Sequence, residues 1–444
     1  MPLIPPETDH LVIVGHGMAA QRLIEALHEY PCRPARITVI GEEPRAAYNR
    51  ILLSPWLAGE LAGTALTLRE SPWYAERGIT LVLGERVTAI DRAARRLVTD
   101  AGRTVGYHRL VLATGSRPAM PAVPGITLAG VQSFRDLQDA ERLRQIAERG
   151  GHVVVLGGGL LGLEAAEGLR KRGRAQGPAA LTVGVVQRAS RLMNRQLDAT
   201  AAGLLEAELA CRGLAIHTGA QLAAIEGDPH GRVNGVRLAD GRRLAADAVV
   251  VAAGITPNAA LGRAAGLRVD RGIVVDDTLT SSDPAIYALG ECCQFQGTTY
   301  GLVEPIWRQV EVLAARLATA PDARPDMPRY IETSCATRLK ISGVALFAFG
   351  PSDAAPEHEV LAYHDSAQGD YRRLLLRDGQ LEGAVLYGDT AMGPWLFRQA
   401  QTGRDLSACR RALLLGSADA VALLDACPSA TNADNPDRPA KEAA

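Results

Sequence analysis

No apolar run in this 444-residue sequence reaches the roughly 20 residues that a membrane-spanning helix needs. The opening Met1-Pro2-Leu3-Ile4-Pro5-Pro6-Glu7 lacks the basic and apolar regions of a secretory signal, so a soluble cytoplasmic protein is expected. Neither sign of charge is in excess, with 48 basic and 49 acidic residues and a formal net charge of -1. That balance argues against a nucleic-acid binder, which shows a basic excess or stripe. Aromatic residues make up only 4%; Ala, Gly and Leu dominate, and such small side chains let helices and strands pack closely. Cysteine is confined to Cys32, Cys211, Cys292, Cys293, Cys335, Cys409 and Cys427. Their odd number and irregular spacing argue against a disulfide framework. No C-x-x-C, iron–sulfur or zinc spacing occurs, so no metal site is expected. The adjacent Cys292 and Cys293 read as two small buried residues, with a redox pair as the alternative.

What is present is a large apolar fraction, 47%, in a length that suggests three domains. The run Leu11-Val12-Ile13-Val14 ends in Gly15-His16-Gly17-Met18-Ala19-Ala20. A helical pattern follows, with Leu23, Ile24 and Leu27 on one face, then a second run, Ile37 to Ile40. Strand, glycine turn, helix and strand in that order make a βαβ unit. The unit recurs: Val153 to Leu156 leads into Gly157-Gly158-Gly159-Leu160-Leu161-Gly162, a helix through Leu163, Ala166 and Leu169, and a strand from Leu181 to Val186. Each unit is followed by a short strand, a turn and an apolar run closing on glycine: Leu110 to Gly115 in the first, Val249 to Gly254 in the second. The opening glycines lie 142 residues apart and the closing ones 139 apart. An internal duplication of one nucleotide-binding plan accounts for this. After a linker at 320–328, strand-like runs at Tyr371 to Leu376 and Leu381 to Tyr387 flank the turn Asp378-Gly379. A helix is expected over Gly393 to Thr402. The polar tail, 428–444, reads as disordered.

Gly15-x-Gly17-x-x-Ala20 and Gly157-x-Gly159-x-x-Gly162 are dinucleotide fingerprints. The first glycine permits the tight turn, the second lets backbone approach a pyrophosphate, and the small third residue lets helix pack on strand. The helix N-terminus then offers free N–H groups to the phosphates. After the first unit's second strand, Glu42 and Glu43 can accept hydrogen bonds from ribose hydroxyls. The second unit carries Gln187 and Arg188 at that place. An arginine there can receive the extra phosphate of NADP, so the choice between NADH and NADPH stays open.

Ala113-Thr114-Gly115-Ser116-Arg117-Pro118 and Ile286-Tyr287-Ala288-Leu289-Gly290-Glu291 resemble flavoprotein signatures, the second being the strand-end motif that usually ends in Asp and holds the ribityl chain of FAD. With the two fingerprints, these segments resemble the two-dinucleotide-binding-domain flavoproteins, the superfamily of glutathione reductase and ferredoxin reductases, over about residues 10–320. Three further segments are similar to the large subunit of assimilatory nitrite reductases and to nitrate reductase electron-transfer subunits. They are Glu42 to Ser54, Ser190 to Asp198, and Tyr387 to Thr390 with Gly393 to Phe397. The resemblance implies an α/β fold with two Rossmann-like domains, binding FAD (1–118 and 247–320) and NAD(P)H (119–246). A small C-terminal α+β interface domain, 326–427, would follow. It implies that Ala113, Thr114, Gly115, Gly290 and Glu291 face FAD, that Arg50 contacts it, and that Gly254 closes the nucleotide site. Glu164 would approach the nicotinamide amide. Relatives often have lysine after the serine matched by Ser54; this chain has Pro55.

Disulfide reductases place a cysteine pair beside the flavin, and peroxidases and water-forming oxidases a single cysteine. Gly41 to Gly63 contains none, so no thiol relay is expected. The clustered cysteines of siroheme regions are also missing, so these residues alone are not expected to reduce nitrite. The expected function is an FAD-dependent NAD(P)H oxidoreductase passing electrons to an iron–sulfur or other redox protein, with a nitrate or nitrite reductase catalytic subunit as the candidate. A ferredoxin or rubredoxin reductase of an oxygenase system, an NAD(P)H oxidase, and a non-catalytic flavin-bearing sensor are the alternatives. Oligomeric state is left open.

Overall fold

The computed structural model describes residues 9–175, 177, 181–319, 327–339, 341, 343–410, 412–416 and 420–423. Most of the expected linker and the whole of the expected tail lie outside these. The fold is α/β, and the chain divides into two compact units, Met1–Arg188 with Gly213–Thr333, and Ala189–Arg212 with Ser334–Ala444.

The first unit contains two parallel five-stranded sheets. In one, His10–Val14 lies between Arg36–Gly41 and Arg109–Leu112, with Ile79–Leu83 and Ile286–Ala288 at the edges. In the other, Gly151–Leu156 lies between Leu181–Val186 and Ala248–Val251, with Ala215–His217 and Val131–Ser133 at the edges. Leu11, Val12 and Ile13 are fully buried. A parallel strand covered on both faces needs such an unbroken apolar run. Leu23, Ile24 and Leu27 of the helix Met18–His28 are likewise fully buried, as are Leu163, Ala166 and Leu169 of Leu160–Arg174. Both helices therefore present the apolar stripe read from the sequence to their sheets.

The duplication extends to the strand order and to a three-stranded antiparallel flap beside each sheet, Val87–Asp91, Arg96–Thr99 and Thr104–Gly106 in one, Leu222–Gly227, Val233–Leu238 and Arg243–Ala245 in the other. The strand Ala248–Val251 lies beyond position 247, where the sequence suggested a return to the first domain. Its parallel pairing with Gly151–Leu156 and Val131–Ser133 keeps it in the second sheet. The crossing comes at Ile255–Pro257, which pairs antiparallel with Ser116–Pro118.

The second unit is an antiparallel five-stranded sheet packed against the helix Gly393–Thr402. Its central hairpin joins Asp370–Arg377 to Gln380–Tyr387 through Asp378 and Gly379, both at positive φ (50° and 77°), which suits a tight hairpin turn. The helix Ala199–Cys211, expected within the nucleotide-binding block, groups with this unit. The cause is Asp198. One of its oxygens caps the helix, accepting from Ala201 N at 2.9 Å, while the other accepts from Tyr371 Oη at 2.5 Å and lies 3.1 Å from Arg373 Nε. Among the described residues no helix is long and apolar enough to cross a membrane.

Candidate functional site

The two glycine turns share the same tie to the neighbouring strand. Gly15 N donates to Ile40 O at 2.8 Å and Gly157 N to Val186 O at 2.9 Å, tying each turn to its neighbouring strand. A Cβ on Gly15, where φ is 103°, would lie 2.2 Å from Ala113 O; one on Gly157, where φ is 121°, would lie 2.4 Å from Ala252 O. Only glycine fits either place. On Gly17 or Gly159 a Cβ would meet nothing within 4 Å. The third position differs as the fingerprints do: Ala20 is fully buried, while a Cβ on Gly162 would sit 1.9 Å from Gly157 O. Neither helix that follows has a side-chain cap or an acidic residue in its first turn. The uncapped N–H groups opening at Met18-Ala19 and at Leu160-Leu161, beside a bare Gly17 or Gly159, suit a pyrophosphate.

The expected ribose acids part company. Glu42 is exposed and lies 3.9 Å from Arg86 Nη1. Glu43 is clasped by Arg50 Nη2 at 2.5 Å and by the Tyr48 hydroxyl at 2.9 Å. Tyr48 also accepts from Leu137 N at 2.9 Å, and burial raises its phenol above the ordinary value. Arg50 is thus held against Glu43, with the Tyr48 ring centroid 5.5 Å from its guanidinium carbon.

At the end of the first sheet, Thr114 Oγ1 donates to Asn258 O at 2.8 Å and Asn258 Nδ2 donates to Thr114 O at 3.0 Å. Gly290 is at φ 80°, and its N–H is taken by Gln309 Oε1 at 2.8 Å. The Glu291 carboxylate accepts from Ser116 Oγ at 2.9 Å and pairs with Arg135. A Cβ on Gly115 would lie 3.9 Å from both members of that pair. Arg135, Asn258 and Gln309 escaped the sequence reading. Each meets its partner from far along the chain, and no local pattern marks it.

In the second unit of the duplication, Gln187 Oε1 accepts from Gly158 N at 3.0 Å, so the strand-end amide braces the turn. Arg188 beside it is exposed. Gly254 is at φ 118° with open space where a Cβ would go. Glu164 Oε2 accepts from Ser54 Oγ at 3.0 Å, across the seam between the two nucleotide-binding halves. Cys292 and Cys293 are fully buried, and burial raises both thiols above their ordinary value. Cys292 Sγ lies 3.3 Å from both Leu112 O and Leu289 O. Among the described residues no three His, Cys, Asp or Glu side chains are grouped so as to hold a metal ion.

Residues 9–320 match the pyridine nucleotide-disulphide oxidoreductase model, and residues 336–401 match the rubredoxin NAD+ reductase C-terminal domain. The chain belongs to the pyridine nucleotide-disulphide oxidoreductase family. It is 40% identical to the nitrite reductase [NAD(P)H] of Bacillus subtilis (strain 168) over 89% of this chain and 48% of that protein. It is 36% identical to the assimilatory nitrate reductase electron transfer subunit of the same organism, over 91% and 51%. The chain therefore spans about half the length of these two relatives. A solved structure, the ferredoxin reductase for the CYP199A2 system from Rhodopseudomonas palustris, superposes with a TM-score of 0.76 at 31% identity, covering 86% of this chain and 92% of that one. Like its family, this pyridine nucleotide-disulphide oxidoreductase is an FAD-dependent enzyme that uses NAD(P)H. The disulphide of the family name has no counterpart between Gly41 and Gly63.

Proposed function

We propose that this enzyme takes hydride from NAD(P)H and delivers the electrons to a separate redox protein in nitrate or nitrite assimilation. The observation that carries the reading is the matched pair of turns, each bare at its second glycine and each opening an uncapped helix. In this reading Gly15, Gly17, Met18, Ala19 and Ala20 take the pyrophosphate of FAD. Glu42 and Glu43 take its ribose, and Arg50, Ala113, Thr114, Gly115, Gly290 and Glu291 line the flavin end. Gly157, Gly159, Leu160, Leu161, Gly162, Gln187, Arg188 and Gly254 receive NAD(P)H, and Glu164 meets the nicotinamide amide. Bound FAD supplies the ability to accept two electrons together and release them singly.

The residues do the rest. Thr114 and Asn258 lock the crossover between domains, and Ser116 and Arg135 hold Glu291 in place. Glu43 is pinned by Arg50 and Tyr48, so it presents a fixed acceptor edge and spends little entropy on binding. The nicotinamide pool that serves as donor puts the reaction in the cytoplasm. Nitrate or nitrite assimilation is favoured by the two Bacillus subtilis relatives, which match along nearly the whole of this chain.

A second reading has its own support. The C-terminal match to a rubredoxin reductase domain, and the ferredoxin reductase covered over 92% of its length, favour a reductase that serves an oxygenase. Turnover with NADH and each purified carrier separates them. Fast reduction of a siroheme or molybdenum reductase with slow reduction of ferredoxin and rubredoxin is expected; the opposite order overturns the nitrogen assignment.

A further inference from the structure

One stripe of the helix Leu160–Arg174 faces the short helix Leu53–Leu57 and the loop after it. Gly168 makes the approach possible: a Cβ there would lie 3.1 Å from Leu57 Cδ2 and 3.3 Å from Ser54 O. One turn toward the C-terminus, Lys171 Nζ reaches Glu60 Oε1 at 2.5 Å. One turn toward the N-terminus lies Glu164, and residues four apart share a face. That spacing brings its carboxylate onto the hydroxyl of Ser54, a residue 5% exposed. The neighbouring Trp56 ring lies 4.5 Å from the Arg144 guanidinium carbon, a further contact that holds the short helix. Ser54 is therefore a rigidly mounted donor aimed at one oxygen of an acid carried by the nucleotide helix.

We propose that Ser54 is a positioning residue for Glu164. Its hydroxyl would set the carboxylate that receives the nicotinamide amide, so that the flavin-side domain prepares the nicotinamide subsite of the other domain. The inference rests on the reading of Glu164 given above. It assigns to the serine a task that the following residue, Pro55, has no donor to perform. The hydroxyl donates and the carboxylate accepts, which favours one orientation of the carboxylate. The nicotinamide amide N–H then finds its acceptor already placed.

Binding measured by calorimetry tests this without turnover, on purified FAD-loaded wild type, Ser54→Ala, Glu164→Gln and the double variant. The probes are NAD+ and ADP-ribose, which lacks the nicotinamide. Ser54→Ala is expected to weaken NAD+ binding roughly tenfold, the scale of one hydrogen bond to a charged group. It should leave ADP-ribose within about twofold, and the double variant should bind NAD+ no worse than Glu164→Gln alone, since residues acting in series are not additive. Equal weakening of both probes would show that Ser54 only packs the helix and would overturn the proposal. So would NAD+ affinity unchanged in Ser54→Ala while Glu164→Gln weakens it. If Glu164→Gln itself leaves NAD+ binding intact, the reading of Glu164 fails first and the role of Ser54 falls with it.

Discussion

Gly17 and Gly159 occupy the same place in two copies of one turn, and at both a side chain would enter open space rather than protein. Both are extended, with φ of -97° and -89°, so neither needs to be glycine for the sake of the fold. Gly17→Val and Gly159→Val should therefore fold with little loss in melting temperature and fail at different ligands. Gly17→Val should lose FAD affinity by roughly two orders of magnitude, about 2.8 kcal/mol, while Gly159→Val stays yellow and loses NAD(P)H binding. Flavin absorbance after gel filtration and a calorimetric NAD+ titration report the two. Gly15→Ala, with its Cβ against Ala113 O, should instead fail to accumulate as folded protein.

Much of this was legible in the sequence because turn chemistry and apolar periodicity are local. The glycine turns, the helix faces at Leu23, Ile24 and Leu27, and the Asp378-Gly379 hairpin depend on neighbours a few residues away. The contacts that finish the candidate site do not. Arg135 meets Glu291 across 156 residues, Asn258 meets Thr114 across 144, and Ser54 meets Glu164 across 110. An exposed-looking arginine or serine carries no mark of such a partner. The strand at Ala248–Val251 was visible as an apolar run, yet the sheet it joins is decided by pairing with Gly151–Leu156. Likewise the helix after Asp198 is recognisable, but its grouping follows from Tyr371 and Arg373.

His16 lies inside the first turn, its ring edge-on to Tyr74 at 5.4 Å, and among the described residues neither ring nitrogen has a partner at full hydrogen-bond geometry, the Gln21 side chain being only a weak neighbour. Burial pushes the imidazole down to about 4. The unfolded chain takes up this proton near pH 6.5 and the folded one only near 4. Across that window the unfolded state binds more protons, so stability is full above pH 6.5 and falls as pH falls, by about 1.4 kcal/mol per pH unit. His16→Phe keeps the aromatic contact and removes the titration. Urea unfolding at pH 7 and pH 5 should show the variant losing about 2 kcal/mol less than wild type between them; equal losses would place the acid sensitivity elsewhere.

Gln187 braces the second turn through Gly158, and Arg188 beside it is exposed where NAD enzymes usually carry an acid. The family resemblance read from the sequence points to NADH, whereas the strand-end charge favours NADPH. We expect NADH to be used with NADPH tolerated, and Arg188→Ala to lower kcat/KM for NADPH about tenfold, or about 1.4 kcal/mol, with NADH little changed. A wild-type preference for NADPH of tenfold or more would reverse this expected order and give the charge the larger weight.

Electrons should leave the flavin without passing through sulfur of this chain. Among the described residues, the cysteines that bear on this are Cys292 and Cys293, directly after Glu291. Both are fully buried, and Cys292 Sγ faces the backbone carbonyls of Leu112 and Leu289 at 3.3 Å. Cys293 Sγ lies 3.7 Å from Gln309 Oε1, the same oxygen that holds Gly290 N. Burial raises both thiols, so they stay protonated at neutral pH, while thiol redox chemistry needs the thiolate. The pair therefore behaves as packing behind the Gly290-Glu291 turn. A Cys292→Ser, Cys293→Ser double variant should reduce ferricyanide with NAD(P)H at a near wild-type rate per bound FAD. It should also lose stability on the order of 1–3 kcal/mol, from burying two hydroxyls in place of less polar thiols. Normalising to bound flavin separates these effects. A hundredfold fall per flavin, with flavin bleaching by NADH intact in stopped flow, would put the sulfur pair on the electron path and overturn direct transfer.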